Sequence, residues 1–205
     1  MRVITLLGLP ASGKSYYGKM LAERLRAKFI PEIATQIIHE KEYKVGIGAP
    51  PEFDRDVFEM DLKVARDVLR SELEIIAWEG GPVLDCFFLE GRLKLGAAKS
   101  ERGRILKLYD NNTFRELSGK TTYVIFNVRP GVSLKRQRKR GKPELLTPDL
   151  ELLKFVHSRL INFYEKGKDR SILINVDKAR EDVFKEVEGK ISRMILNQPQ
   201  RSLRG

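Results

Sequence analysis

Near the N-terminus, Gly8-Leu9-Pro10-Ala11-Ser12-Gly13-Lys14-Ser15 fits the pattern G-x-x-x-x-G-K-[ST] without departure. Its glycines let the backbone fold closely around an anion, so that successive amides and a helix N-terminus point at phosphate oxygens. Gly8, Ala11, Ser12, Gly13, Lys14, Ser15 and the following Tyr16 are therefore expected to hold the phosphates of a nucleoside triphosphate, taken as ATP. Lys14, at a helix start expected to face solvent, should reach the β- and γ-phosphates, and the Ser15 hydroxyl should ligate Mg²⁺. A glycine-rich turn that merely caps a helix is the competing reading, and the apolar run before the loop together with the helical spacing after it argues against that. There is no N/T-K-x-D signature, which argues against guanine nucleotides.

A second set of oxygen ligands is expected from Val83-Leu84-Asp85, read as an aspartate closing an apolar strand, because Mg²⁺ takes hard oxygen donors. A solvated strand-end aspartate is the alternative. Residues 129–142 (RPGVSLKRQRKRGK) carry seven basic residues and no acidic one. On a helix, Arg136 and Arg140 share a face at four-residue spacing. Such a segment can close over phosphates, can be a solvated charged helix, or can bind a polynucleotide, although no aromatic residues interleave to stack on bases. His157 reads as a satisfied core histidine, His39 has no ligand partner at metal spacing, and Cys86 reads as a small hydrophobe in a buried strand. Trp78 is expected to pack a helix end and Phe87-Phe88 to be core, with one ring able to face an acceptor pocket.

These residues need elements to hold them. Arg2–Leu7 reads as a buried strand, followed by a helix over Ser15–Ala27, a brief extended segment at Lys28–Pro31 and a helix from Ile33 to about Lys41. Val45–Pro51 is a loop. From Phe53 to about Trp78, apolar residues at three- and four-residue steps predict one long amphipathic helix, broken at Gly80-Gly81. Pro82–Phe88 is then a strand. Gly91–Leu117 is part loop and part helix, interrupted at Asn111-Asn112. Thr121–Val128 is a strand, Val132–Arg140 a basic helix, Leu150 to about Lys166 a helix, Ser171–Val176 a strand and Arg180–Leu196 a helix. Strands alternating with helices predict an α/β fold whose five-stranded, mainly parallel sheet is covered on both faces.

With 205 residues, the chain suits one domain over 1–196, with a lid at about 129–146 and a polar tail over 197–205 expected to be disordered. Hydrophobic content of 41% and charged content of 33% describe a globular chain. No run approaches the ~18 apolar residues of a membrane span, and a cytoplasmic location without membrane partners is expected. A single cysteine leaves no internal disulfide. Thirty-nine Lys and Arg against 28 Asp and Glu give +11, a field that concentrates anions without choosing among nucleotides and polynucleotides. Richness in Lys, Arg and Glu points weakly to a thermophilic source.

In this order, the phosphate loop, Asp85 and the basic segment resemble the thymidylate-kinase and deoxynucleoside-kinase group of P-loop phosphotransferases, loosely from residue 1 to about 196. The resemblance implies the three-layer P-loop NTPase fold with a basic lid. A Pro-Glu segment before a helix also occurs in the nicotinamide-riboside-kinase-like ATPases, near relatives. In the kinase group a carboxylate after the second strand acts near the phosphoryl acceptor, which implies that role for Glu32. Such a group could take or orient a hydroxyl proton, or simply cap the following helix. The resemblance makes Lys14, Glu32, Asp85, Arg136 and Arg140 the catalytic set and Ser15 with Asp85 the metal ligands. It lays the loop at Asp177 against the adenine. One departure stands out: the group places Arg after its third-strand acidic residue, and here Cys86 follows Asp85, with Arg92 as a spatial substitute. The implied activity is ATP- and Mg²⁺-dependent phosphoryl transfer to a nucleoside or nucleoside monophosphate. A regulatory ATPase and a nucleic-acid-binding or polynucleotide-end kinase are the alternatives, and the oligomeric state is open, a homodimer included.

Overall fold

The computed structural model describes residues 1–141, 147 and 149–197. Residues 142–146, in the lid segment, and the polar tail over 198–205 lie outside the described residues. Five parallel strands form one sheet in the order β2-β3-β1-β4-β5: β1 (Arg2–Gly8), β2 (Lys28–Ile30), β3 (Ile75–Glu79), β4 (Thr121–Asn127) and β5 (Ser171–Asn175). Val3, Ile4, Leu6 and Leu7 of the central strand β1 are all buried. A continuous apolar run of this kind belongs to a parallel strand covered on both faces. On one face α1 (Lys14–Leu25) packs closely, since a Cβ at Gly18 would lie 2.4 Å from Leu6. On the other lie α4 (Gly81–Leu95) and α8 (Leu150–Lys166), reached through Thr5 beside Gly81 and through Tyr123 against Phe163.

The remaining helices are α2 (Ile33–Lys41), α3 (Pro51–Leu69), α5 (Lys99–Leu108), α6 (Asn112–Gly119), α7 (Pro130–Lys139) and α9 (Arg180–Asn197). The sequence placed α1, α2, α7, α8 and α9 within a few residues of these bounds. The interruption at Asn111-Asn112 is an N-cap, because the Asn111 side chain accepts a hydrogen bond from the Phe114 amide at 3.1 Å.

Two elements are corrected. The long helix expected from Phe53 to Trp78 is α3, which stops at Leu69, followed by a turn and the strand β3. Leu73, counted into the helical stripe, is exposed, and the Ser71 hydroxyl accepts the Leu73 amide instead. Trp78 therefore lies fully buried inside β3 rather than at a helix end. The strand expected at Pro82–Phe88 is the first half of α4. Being wedged between the sheet, α3 and α8, that helix is apolar nearly all round and lacks the polar stripe that would have revealed its period. The sheet's carboxyl edge, where open α/β sheets bind their ligands, holds the phosphate loop at the end of β1.

Candidate active site

The phosphate loop begins where β1 runs out at Gly8. Gly8 has φ +155°, and a Cβ there would lie 2.9 Å from the Phe126 carbonyl, so only glycine fits. Gly13, the N-cap of α1, is left-handed at φ +97° and would push a Cβ to 2.8 Å from the Tyr17 ring. Between them Ala11 is also left-handed, at φ +60°. Lys14 is buried, contrary to the expected solvent-facing position. Its ammonium donates to the Gly8 carbonyl at 2.9 Å and the Leu9 carbonyl at 3.3 Å. The Ser12 hydroxyl is buried with no partner among the described residues.

The carboxylate that closes a strand beside this loop is Glu79, not Asp85. Register pairs Leu6 with Glu79, and the Gly80 amide donates to the Leu6 carbonyl at 2.9 Å, which fixes Glu79 beside the loop's first turn. Ser15 Oγ donates to Glu79 Oε1 at 2.7 Å. Burial raises the Glu79 carboxyl above its usual range, reinforced by Glu32 and opposed by Lys14 and the Ser15 hydroxyl. Glu79 was missed because Ile75–Glu79 was absorbed into the helix reading. The available signal was a five-residue apolar run ending in an acid immediately before Gly80-Gly81. No arginine follows Glu79 either, so the departure noted at Asp85 persists at the true strand end.

Glu32 is the N-cap residue of α2, yet its side chain makes no bond to a helix amide. Its Oε2 accepts from the Thr35 hydroxyl at 3.1 Å, and its Oε1 lies 3.9 Å from Lys14 Nζ. The side chain thus turns toward the phosphate loop. Asp85, on α4 rather than at a strand end, lines the same cleft of about 570 Å³, together with Glu32, Glu79, Phe88 and Arg92. Its Oδ2 is buried with no partner among the described residues. Burial, then Glu32, raises its carboxyl to about 7, against the pull of Arg92, a hydrogen bond with Asp61, and Lys14. Asp61 is pushed well above the usual range by burial and by Asp85, so the two carboxyls hold a proton between them. Tyr109 donates to Asp61 Oδ2 at 3.3 Å.

Behind the cleft, Asp54 is fully buried between two arginines. Arg92 donates from Nε at 2.8 Å and also from Nη2, and Arg102 donates from Nε at 2.9 Å. Arg102 also donates to the Ala49 and Ala97 carbonyls. Arg92 stacks over the Phe53 ring at 5.4 Å. The sequence reading passed over Asp54 and Asp61, although both fall on the buried stripe of α3 with Val57, Phe58 and Val68. Acidic residues on an apolar stripe were the signal. His39, given no role, also lines the cleft, as does Phe88, while Phe87 packs edge-on against Phe163.

A second hollow of about 430 Å³ adjoins the first around Ala11, Ser12, Gly13, Tyr16 and Arg140. Arg136 reaches across it, donating to the Val176 carbonyl at 3.2 Å and lying 3.6 Å from Asp177. Asp177 flanks this hollow through Arg136 and Arg129. Tyr16 is exposed, with the Arg180 guanidinium 5.5 Å from its ring, an element the sequence reading missed. His157 is half-buried and satisfied by Asn127 Oδ1 at 2.9 Å. The Cys86 thiol, on α4, is pushed up to about 12 by burial and stays protonated at neutral pH. None of the helices among the described residues is long and apolar enough to cross a membrane.

No protein-family profile matches the chain, and no curated protein does. Solved structures do. Deoxyadenosine kinase from M. mycoides, with the products dCMP and a flexible dCDP bound, superposes with a TM-score of 0.72 at 13% identity, over 93% of this chain and 99% of that one. The same enzyme with bound dATP gives 0.69 at 16%, and with bound dCTP 0.68 at 14%, each over 93% and 99% of the two chains. At such identities the likeness is one of architecture, and it spans nearly the whole of both chains. This protein has the α/β fold of deoxyadenosine kinase, a five-stranded parallel sheet between helices with its phosphate loop at the carboxyl edge.

Proposed function

We propose that this protein is an ATP-dependent nucleoside kinase, which moves the γ-phosphoryl group of ATP to an acceptor hydroxyl with Mg²⁺ beside the phosphate loop. The observation that carries this reading is the placement of two carboxylates about Lys14: Glu79 bonded to Ser15 at 2.7 Å, and Glu32 3.9 Å from the ammonium. Ser15 and Glu79 offer the hard oxygens that Mg²⁺ takes, few in number, as suits an ion that shares its shell with phosphates and water. Bound there, the ion would neutralise charge on the β- and γ-phosphates.

Lys14 exchanges its carbonyl partners for phosphate oxygens. Glu32 accepts or orients the proton of the acceptor hydroxyl. Arg136 and Arg140 meet charge as it develops on the transferring group, so catalysis here is positioning and electrostatics. Asp85 serves the acceptor side and Glu79 the metal. Asp177 holds the arginines at the donor hollow.

The charge of the cleft supports a nucleoside over its monophosphate. Glu32, Glu79 and Asp85 face the acceptor, and Arg92, the cation of that wall, is already bonded to Asp54. A phosphate dianion there would meet like charge without a free partner. The neighbouring structures, named as deoxyadenosine kinase, favour a deoxynucleoside.

The test is ADP release from ATP with nucleosides, their monophosphates and short oligonucleotides as acceptors. Nucleoside-dependent turnover is expected. Acceptor-independent hydrolysis would point to a regulatory ATPase. The exposed cations Lys135, Arg138 and Lys139 on α7 are the feature that a polynucleotide reading would use. Turnover that rises with oligonucleotide ends and falls steeply with salt would establish that reading instead.

A further inference from the structure

Within the arginine-rich helix α7, two residues are neither basic nor exposed: Ser133 and Gln137, four apart and so on one face. Ser133 Oγ donates to the Pro10 carbonyl inside the phosphate loop at 2.6 Å. Gln137 Nε2 donates to Ser133 Oγ at 3.3 Å, and Gln137 Oε1 accepts the Thr147 amide at 2.9 Å. A buried amide so used ties three pieces of chain together: the phosphate loop, α7, and the segment that returns toward α8. Because Arg136 precedes Gln137 and Arg140 follows it by three residues, the roll of α7 about its axis decides where both guanidiniums point.

We infer that Gln137 is a positioning residue that aims Arg136 and Arg140 at the donor phosphates by locking α7, through Ser133 and Pro10, onto the phosphate loop. A leucine at 137 would pack almost as well in a helix facing the core. The amide is therefore explained by its two hydrogen bonds, which a buried polar group needs and an apolar one would not supply. The inference rests on the reading of the site as a triphosphate site. It adds that a neutral residue, which touches no phosphate, sets how well the arginines do so.

The experiment is a mutant cycle on the full-length chain, with inorganic tripolyphosphate as the probe in calorimetry. Gln137→Leu is measured in the native background and in the Arg136→Gln/Arg140→Gln background. In the native background Kd is expected to weaken on the order of tenfold, the scale of a misplaced charge-assisted contact. In the arginine-free background it should change less than twofold, because there is nothing left to aim. An equal loss in both backgrounds, or no loss in the first, overturns the inference. A wild-type chain that binds no tripolyphosphate also overturns it. Ser133→Ala removes only an oxygen and gives the same pattern at smaller amplitude; it decides the matter if Gln137→Leu does not fold. Nucleoside-dependent ADP release, measured separately on the wild type, judges the kinase reading, so loss of that reading and loss of this inference are told apart.

Discussion

Around Lys14 the anion-binding groups are main-chain amides, shaped by three left-handed residues within six positions, Gly8, Ala11 and Gly13. Across the cleft the wall is made of side chains: Asp54 and Asp61 from α3, Asp85 and Arg92 from α4, and Arg102 from α5. The first region is local in sequence and owes little to its neighbours. The second is assembled from residues up to 48 apart, as in the Arg102–Asp54 pair, and works only when every partner is present. A buried ion pair adds little net stability over an apolar replacement, but removing one partner strands the others in a dry interior. The donor side can therefore lose function without losing the fold, while the acceptor side cannot easily lose one without the other.

The largest effect should come from the acceptor wall. Asp54→Ala leaves Arg92 and Arg102 buried without their counter-ion and should destabilise the protein by about 3–5 kcal/mol. Denaturant unfolding that shows a loss below 1 kcal/mol would erase the contrast between the two regions. On the donor side, Lys14→Ala should cost on the order of 3 kcal/mol in transition-state stabilisation. Its melting temperature should fall far less than that of Asp54→Ala, and the check is turnover and thermal unfolding on the same preparation.

The division of labour between the two carboxylates comes next. Glu79→Gln should shift the Mg²⁺ titration midpoint of turnover upward by about tenfold, because the amide loses the charge that a hard cation takes. Asp85→Asn should leave that midpoint in place. The reverse result would return the metal to Asp85.

The smallest effect is a pH dependence of stability. In the unfolded chain Asp85 ionises near the ordinary carboxylate value of about 4, and in the folded protein near about 7. Between these values the folded state holds a proton that the unfolded state has released, so stability falls as pH rises through this window and the contribution is gone above it. Asp85→Asn should therefore raise the melting temperature relative to wild type more at pH 8 than at pH 4. Parallel melting curves for the two proteins across that range would show that Asp85 carries no raised carboxyl.

The phosphate loop, β1, β4, β5 and five of the helices were legible because each is written locally. A turn motif, a fully apolar strand or a one-sided helical stripe needs no distant residue to declare itself. The reading failed at 70–88. There, Leu73 and Ile76 happened to continue the spacing of α3, and α4 is apolar on faces that only the sheet, α3 and α8 explain. That single slip moved the metal carboxylate from Glu79 to Asp85.

What the sequence determined by itself was the anion site and the alternating β/α order, since both follow from backbone conformation and short-range pattern. Only the tertiary structure decided which carboxylate stands beside Ser15, because strand register sets Glu79 opposite Leu6. It alone paired Asp54 with two arginines, brought Asp61 against Asp85 and turned Gln137 inward onto Ser133. These are contacts between helices that meet only after the sheet has formed. Their energies depend on burial and counter-charge, and a residue's neighbours in the chain do not carry that information.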